Sequence, residues 1–166
     1  MPCWREDPVD DHETQQYGCL VKPPFDPAGN LPPGVHEATW GEVVARFGHT
    51  PRRLGLLAGI KAALDELQIA GCRRVYLDGS FVTAKETPGD FDGCWEADGV
   101  DPLVLDPILL DFTSKRQAQK SKYGGELFVA DAAADLSGTR FLQFFQHDKD
   151  SGERKGIIAL DLGGLP

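Results

Sequence analysis

Residues 77–92 read Leu77-Asp78-Gly79-Ser80-Phe81-Val82-Thr83-Ala84-Lys85-Glu86-Thr87-Pro88-Gly89-Asp90-Phe91-Asp92, and their pattern decides the fold. The apolar run Val75-Tyr76-Leu77 is expected to form a short buried strand that ends at a Gly-Ser corner. Nine residues, 81–89, separate that corner from Asp90-Phe91-Asp92, which opens a second strand reaching Trp95. Side chains two apart on a strand leave the same face, so Asp90 and Asp92 aim two carboxylates at one point. Neighbouring carboxylates repel, and a hard divalent cation such as Mg²⁺ relieves them. Gly79 lets a phosphate approach the backbone, and the Ser80 amide and hydroxyl can donate to its oxygens.

Upstream, Thr39-Trp40-Gly41-Glu42 is a capping-box pattern and predicts a short helix from Trp40 to Phe47, stopped by Gly48. Thr50-Pro51 is a second start signal, and Leu57, Ile60, Leu64 and Leu67 then make one apolar helical face that ends by Gly71. Downstream, Asp106-Pro107 opens another predicted helix, basic in its later part (Lys115, Arg116, Lys120, Lys122) and broken by Gly124-Gly125. Leu127-Phe128-Val129, flanked by Glu126 and Ala130, reads as a third strand, and residues 157–162 as a last one. Ser137-Gly138-Thr139 is expected to cap a short helix whose Phe141, Phe144 and Phe145 belong to the core. This order implies an α+β fold, a small mixed β-sheet flanked by helices, rather than a doubly wound nucleotide fold. Residues 1–33, rich in proline, glycine and charge, are expected to form an extended N-terminal arm, with the folded domain over 34–166.

Composition narrows the class. The chain has 166 residues, 17 basic against 26 acidic, for a net charge of −9, which argues against a protein that coats nucleic acid. No apolar run approaches the roughly 20 residues of a membrane helix, and the N-terminus lacks an apolar signal core. A soluble, cytoplasmic protein is expected. Cys3, Cys19, Cys72 and Cys94 and the four histidines, His12 among them, are scattered, without the paired spacing of a zinc site, so the thiols are expected free and mostly buried. The basic residues 115–122, and Arg46, Arg52 and Arg53, are read first as solvated helix faces. Residues 148–152 form a polar turn, because no glutamate closes a calcium loop at Ala159.

The Leu77-Asp78-Gly79-Ser80 corner followed by Asp90-Phe91-Asp92 resembles the nucleotidyltransferase superfamily of the polymerase-β type, particularly its minimal bacterial members. Two positions depart from that pattern: Gly89 stands where serine is frequent, and Thr83-Ala84-Lys85 where a basic residue and a glycine are frequent, leaving Lys85 as a substitute phosphate contact. The resemblance implies a third carboxylate on a later strand. Glu126, Asp111 and Asp106 are the candidates, with Glu126 preferred because it opens a strand. It further implies Mg²⁺ or Mn²⁺ on Asp90, Asp92 and Glu126, and transfer of a nucleoside monophosphate from a nucleoside triphosphate to a hydroxyl of RNA or of a partner protein. Toxin–antitoxin or defence systems are the implied setting, with a protein partner or a homo-oligomer completing a small chain. The competing class is a catalytically inactive binding protein of the same fold, an antitoxin or regulator.

Overall fold

Two helices begin where side chains close their first turns. The computed structural model describes residues 23–166. In α1 (Trp40–Phe47) the Glu42 amide donates to the Thr39 hydroxyl at 3.2 Å, while the Glu42 carboxylate accepts from the Thr39 amide at 2.7 Å. In α2 (Pro51–Ile69) the Thr50 hydroxyl accepts from the Arg53 amide at 3.2 Å, and Pro51 occupies a first-turn position that needs no amide. That helix stops where Gly71 turns left-handed (φ +99°) and the Cys72 amide reaches back to the Leu67 carbonyl at 2.8 Å. Leu57, Ile60, Leu64 and Leu67 are all buried.

Five strands form one mixed sheet: β1 (Gly34–Ala38), β2 (Arg74–Asp78), β3 (Phe91–Trp95), β4 (Gly125–Val129) and β5 (Gly156–Asp161), in the order β1-β5-β2-β3-β4. The β2 strand is antiparallel to both β3 and β5, whereas β1 runs parallel to β5 and β3 parallel to β4. The fold is therefore α+β. The β1 strand was not anticipated, because an edge strand alternating between half-buried and exposed positions carries no apolar run.

Alternation gives the sheet two unlike faces. Val75, Leu77, Phe91, Trp95, Leu127 and Leu160 pack beneath α1 and α2. Tyr76, Cys94, Ile157 and Ala159 point the other way, where Phe145 and its neighbours on α4 (Phe141–Phe144) cover part of them. Trp95 is thus core, and free Cys72 and Cys94 are buried as expected. Cys3, Cys19 and His12 lie outside the described residues, as does the expected arm up to residue 22. The arm's last part packs on the core, with Leu31 buried and the Phe25 ring 6.4 Å from that of Phe47.

The expected basic helix is broken. After a 3₁₀ turn at Pro107–Leu110, Asp111 accepts from the amide (2.9 Å) and hydroxyl (2.6 Å) of Thr113, an Asx-type turn that competes with helix formation. Ser114, Lys115 and Arg116 then turn left-handed (φ +47°, +54° and +58°) before α3 (Gln117–Tyr123) begins. The α3 helix lies so close to α2 that a Cβ on Gly59 would fall 1.8 Å from the Tyr123 carbonyl oxygen. Its Gln119 side chain accepts from the Leu127 amide at 2.8 Å and so helps fix β4 at the sheet edge. Before α4, Ser137 and Thr139 donate to Asp135 rather than capping that helix, which Arg140 precedes.

Arg52 is exposed, as expected of a solvated face, whereas Arg53 is not. Arg53 is fully buried, and its guanidinium donates to the carbonyls of Phe81 (2.7 Å), Thr83 (2.8 Å) and Lys85. Arg52 donates to the Pro88 carbonyl at 3.0 Å and to that of Gly89. Together they moor both ends of the 81–89 connection to α2. Arg53→Met is expected to destabilise the fold by about 2–4 kcal/mol, because several buried carbonyls lose their donor. Arg53→Lys should recover only part of this, since an ammonium lacks the planar fork. Urea midpoints equal to wild type would show that the connection is held by something else.

Candidate active site

Strand register assembles the site. Asp78 on β2 lies opposite Asp92 on β3, and Asp92 lies opposite Glu126 on β4. Partners on adjacent strands project to the same face, so the three carboxylates form one row across the sheet. Asp90 stands two residues ahead of Asp92 and lines the same cleft, which has a volume of about 360 Å³. Gly79 and Ser80 line it too. Gly79 is left-handed (φ +80°), and a Cβ there would stand 2.6 Å from a carboxylate oxygen of Asp92. The glycine corner is therefore in contact with the acidic strand.

Positive charge comes from distant parts of the chain. Lys155, just before β5, binds Asp78 at 2.5 Å, and both side chains are nearly buried. Arg116 pairs with Glu126 through its Nε, and Lys120 reaches the other Glu126 oxygen at 3.0 Å. The Arg116 guanidinium also lies over the Phe128 ring, 5.0 Å from its centroid. Half of the expected solvated basic face is thus turned inward onto Glu126, and Lys122 is tied to Asp106.

Among the described residues Asp92 has no such partner. Burial, and after it the charges of Asp90, Glu126 and Asp78, push its carboxyl up to about 7, with Lys155 only partly opposing them. Burial also raises Asp78, against the pull of Lys155. The Cys94 thiol in the next row of β3 is driven up to about 12, mainly by burial, which disfavours its thiolate.

Asp90, Asp92, Glu126, Gly79 and Ser80 are thus gathered at one cleft. Lys85 is not: it is exposed, outside the cleft lining, and its carbonyl serves Arg53. Asp106 binds the Ile108 amide, Lys122 and Tyr123, and Asp111 holds its own turn. Asp78, Lys155 and the aromatic wall of Phe128, Phe141 and Phe144 were missed. Asp78 stood inside the decisive stretch, but only the β2–β3 register shows it facing Asp92. At the rim, Asp148 accepts from the amides of Asp150 and Ser151, as in a polar turn.

The oxygen-only donor set suits a hard cation such as Mg²⁺. Among the described residues, however, no three acidic, histidine or cysteine side chains form a ready metal cage. Asp78 and Glu126 face their cations instead.

The raised Asp92 carboxyl sets a pH dependence. A carboxyl raised in the folded protein favours folding while it is protonated; that contribution is complete below the unfolded value, 3.8, and is lost as pH rises through about 7. In chelator, Asp92→Asn should melt higher than wild type at about pH 8, with the gap closing towards about pH 4. A melting difference independent of pH would contradict this account of Asp92.

No helix among the described residues is long and apolar enough to cross a membrane. Neither the curated proteins nor the solved structures contain a match to the chain. One family, described as a family of unknown function (DUF6932), matches residues 23–161. That span is most of the chain, and the protein belongs to this family.

Proposed function

We propose that the cleft carries out metal-dependent nucleotidyl transfer, in a domain of nucleotidyltransferase-like fold. One observation carries the reading: Asp90, Asp92, Asp78 and Glu126 converge on the cleft that the Gly79-Ser80 corner enters. Asp90 and Asp92 would hold Mg²⁺ (or Mn²⁺), with Glu126 as third ligand once it leaves Arg116. Bound magnesium would neutralise the triphosphate and lower the pKa of the attacking hydroxyl. Gly79 admits the phosphate chain close to the backbone, and Ser80 donates to it. Arg116 and Lys120 are placed to take up phosphate charge when they release Glu126. The acceptor hydroxyl gives its proton to solvent water, its oxygen bonds the α-phosphorus, and the bond to the bridging oxygen breaks, so that pyrophosphate leaves with that electron pair. The acceptor is a hydroxyl of RNA or of a partner protein, in the cytoplasmic toxin–antitoxin or defence setting that the resemblance implies, with a protein partner or a second copy of the chain completing the acceptor site.

A second reading has its own observation. Glu126 and Asp78 are already neutralised by Arg116, Lys120 and Lys155, as in a site that binds without turnover.

Thermal melting with Mg²⁺ and each nucleoside triphosphate tests the shared premise. The pair is expected to stabilise wild type, because a ligand that binds only the folded state raises the melting point. Asp90→Asn/Asp92→Asn should abolish the shift, and an unaltered shift in that variant would overturn the site. Transfer of α-³²P label to RNA or protein then supports the enzyme, whereas binding without transfer supports the regulator.

A further inference from the structure

The cleft has a second wall that metal and triphosphate do not use. Phe128 follows Glu126 by two residues on β4, on the same sheet face and roughly 6–7 Å further along the strand. It stacks on Phe141 with centroids 4.0 Å apart and planes at 16°. Phe144 is arranged differently. Phe141 and Phe145 both meet it steeply, at 75° and 70°, so neither is stacked in parallel on it. Phe144 is also 42% exposed, where Phe145, the next residue, is 7% exposed. A phenylalanine that served only the core would be buried like its neighbour. Instead Phe144 lines the cleft together with Phe128 and Phe141. The cleft lining combines ionic side chains with an aromatic wall, within about 360 Å³, a size suited to a small molecule. The matching ligand carries both charge and a planar ring.

We propose that Phe144, backed by Phe141 and Phe128, is the stacking platform for the base of the nucleoside triphosphate. This rests on the nucleotidyl-transfer reading and adds to it a seat for the base. Stacking on an aromatic ring is tolerant of base identity, so all four nucleoside triphosphates should bind within a few-fold of one another.

Calorimetry on the full chain separates the base from the phosphates. With Mg²⁺ present, wild type should bind each nucleoside triphosphate roughly ten-fold more tightly than inorganic tripolyphosphate. Phe144→Ala should remove that advantage and leave tripolyphosphate affinity unchanged, while Phe144→Trp should keep it. Equal wild-type affinity for tripolyphosphate and nucleotide would overturn the platform, as would a variant that weakens both alike. So would unchanged nucleotide affinity in Phe144→Ala, the result expected if this wall holds the acceptor. Phe144 is substantially exposed, so the variant should fold, and its unliganded melting point checks this. Adenosine without metal, followed by chemical-shift perturbation, distinguishes the two readings. Shifts that vanish in Phe144→Ala, with no tripolyphosphate binding, would keep the platform and reject the transfer reading, whereas silence in both experiments would reject both.

Discussion

Repulsion among Asp78, Asp92 and Glu126 is the constraint to which the rest of this fold answers. Three neighbouring strands bring these carboxylates into one row, and two of the three, Asp78 and Glu126, are largely buried. A buried carboxylate without a partner costs several kcal/mol. Lys155 is therefore drawn in from the approach to β5, and Arg116 and Lys120 from the segment before β4. Three left-handed residues end in Arg116, at roughly 1–2 kcal/mol each. A charge-assisted bond to a nearly buried glutamate is of comparable size. The backbone strain and the ion pair thus account for one another, and neither feature makes sense alone.

Opposite the row, the connection 81–89 is anchored rather than free. The fully buried Arg53 guanidinium ties the Phe81, Thr83 and Lys85 carbonyls to α2, and Arg52 ties Pro88 and Gly89. Phe81 is itself buried, with its ring 5.5 Å from that of Phe47. The glycine corner, which leads into this connection, lies against Asp92. The longest helix thus both covers the sheet, through its apolar face, and anchors the 81–89 connection through its first turn.

Much of this was legible because the signals were local. The Thr39–Glu42 box, Thr50-Pro51, the apolar face from Leu57 to Leu67, and the strand boundaries around Gly79 and Asp90 each depend on residues within a few positions of one another. The placement of Glu126 beside Asp92 followed from giving both to strands. What escaped depends on long-range geometry. Lys155 is separated from Asp78 by 77 residues. Arg53 resembled any helix arginine until the loop carbonyls above it were in place. Phe141, Phe144 and Phe145 have the spacing of a core face, but α4 is only four residues long and leaves Phe144 at the cleft. The break before α3 rests on consecutive left-handed residues that have no glycine to announce them.

Charge balance limits what the cleft can accept. Asp78, Asp90, Asp92 and Glu126 face Arg116, Lys120 and Lys155. With the Asp92 carboxyl pushed up to about 7, part of its charge is removed near neutral pH, which brings the acidic row closer to balance with these three cations. A divalent cation arriving alone could use Asp90 and Asp92, but recruiting Glu126 or Asp78 as a further ligand would leave a cation stranded. A polyphosphate arriving alone would meet carboxylates. When the two arrive together, the carboxylates can turn to the metal while Arg116 and Lys120 turn to phosphate, so no charge is left unpaired. The exposures fit this exchange: the Arg116 and Lys120 side chains are 29% and 36% exposed and within reach of solvent, while Lys155, at 13%, stays with Asp78. The two cations nearest the third carboxylate are the two with freedom to leave it.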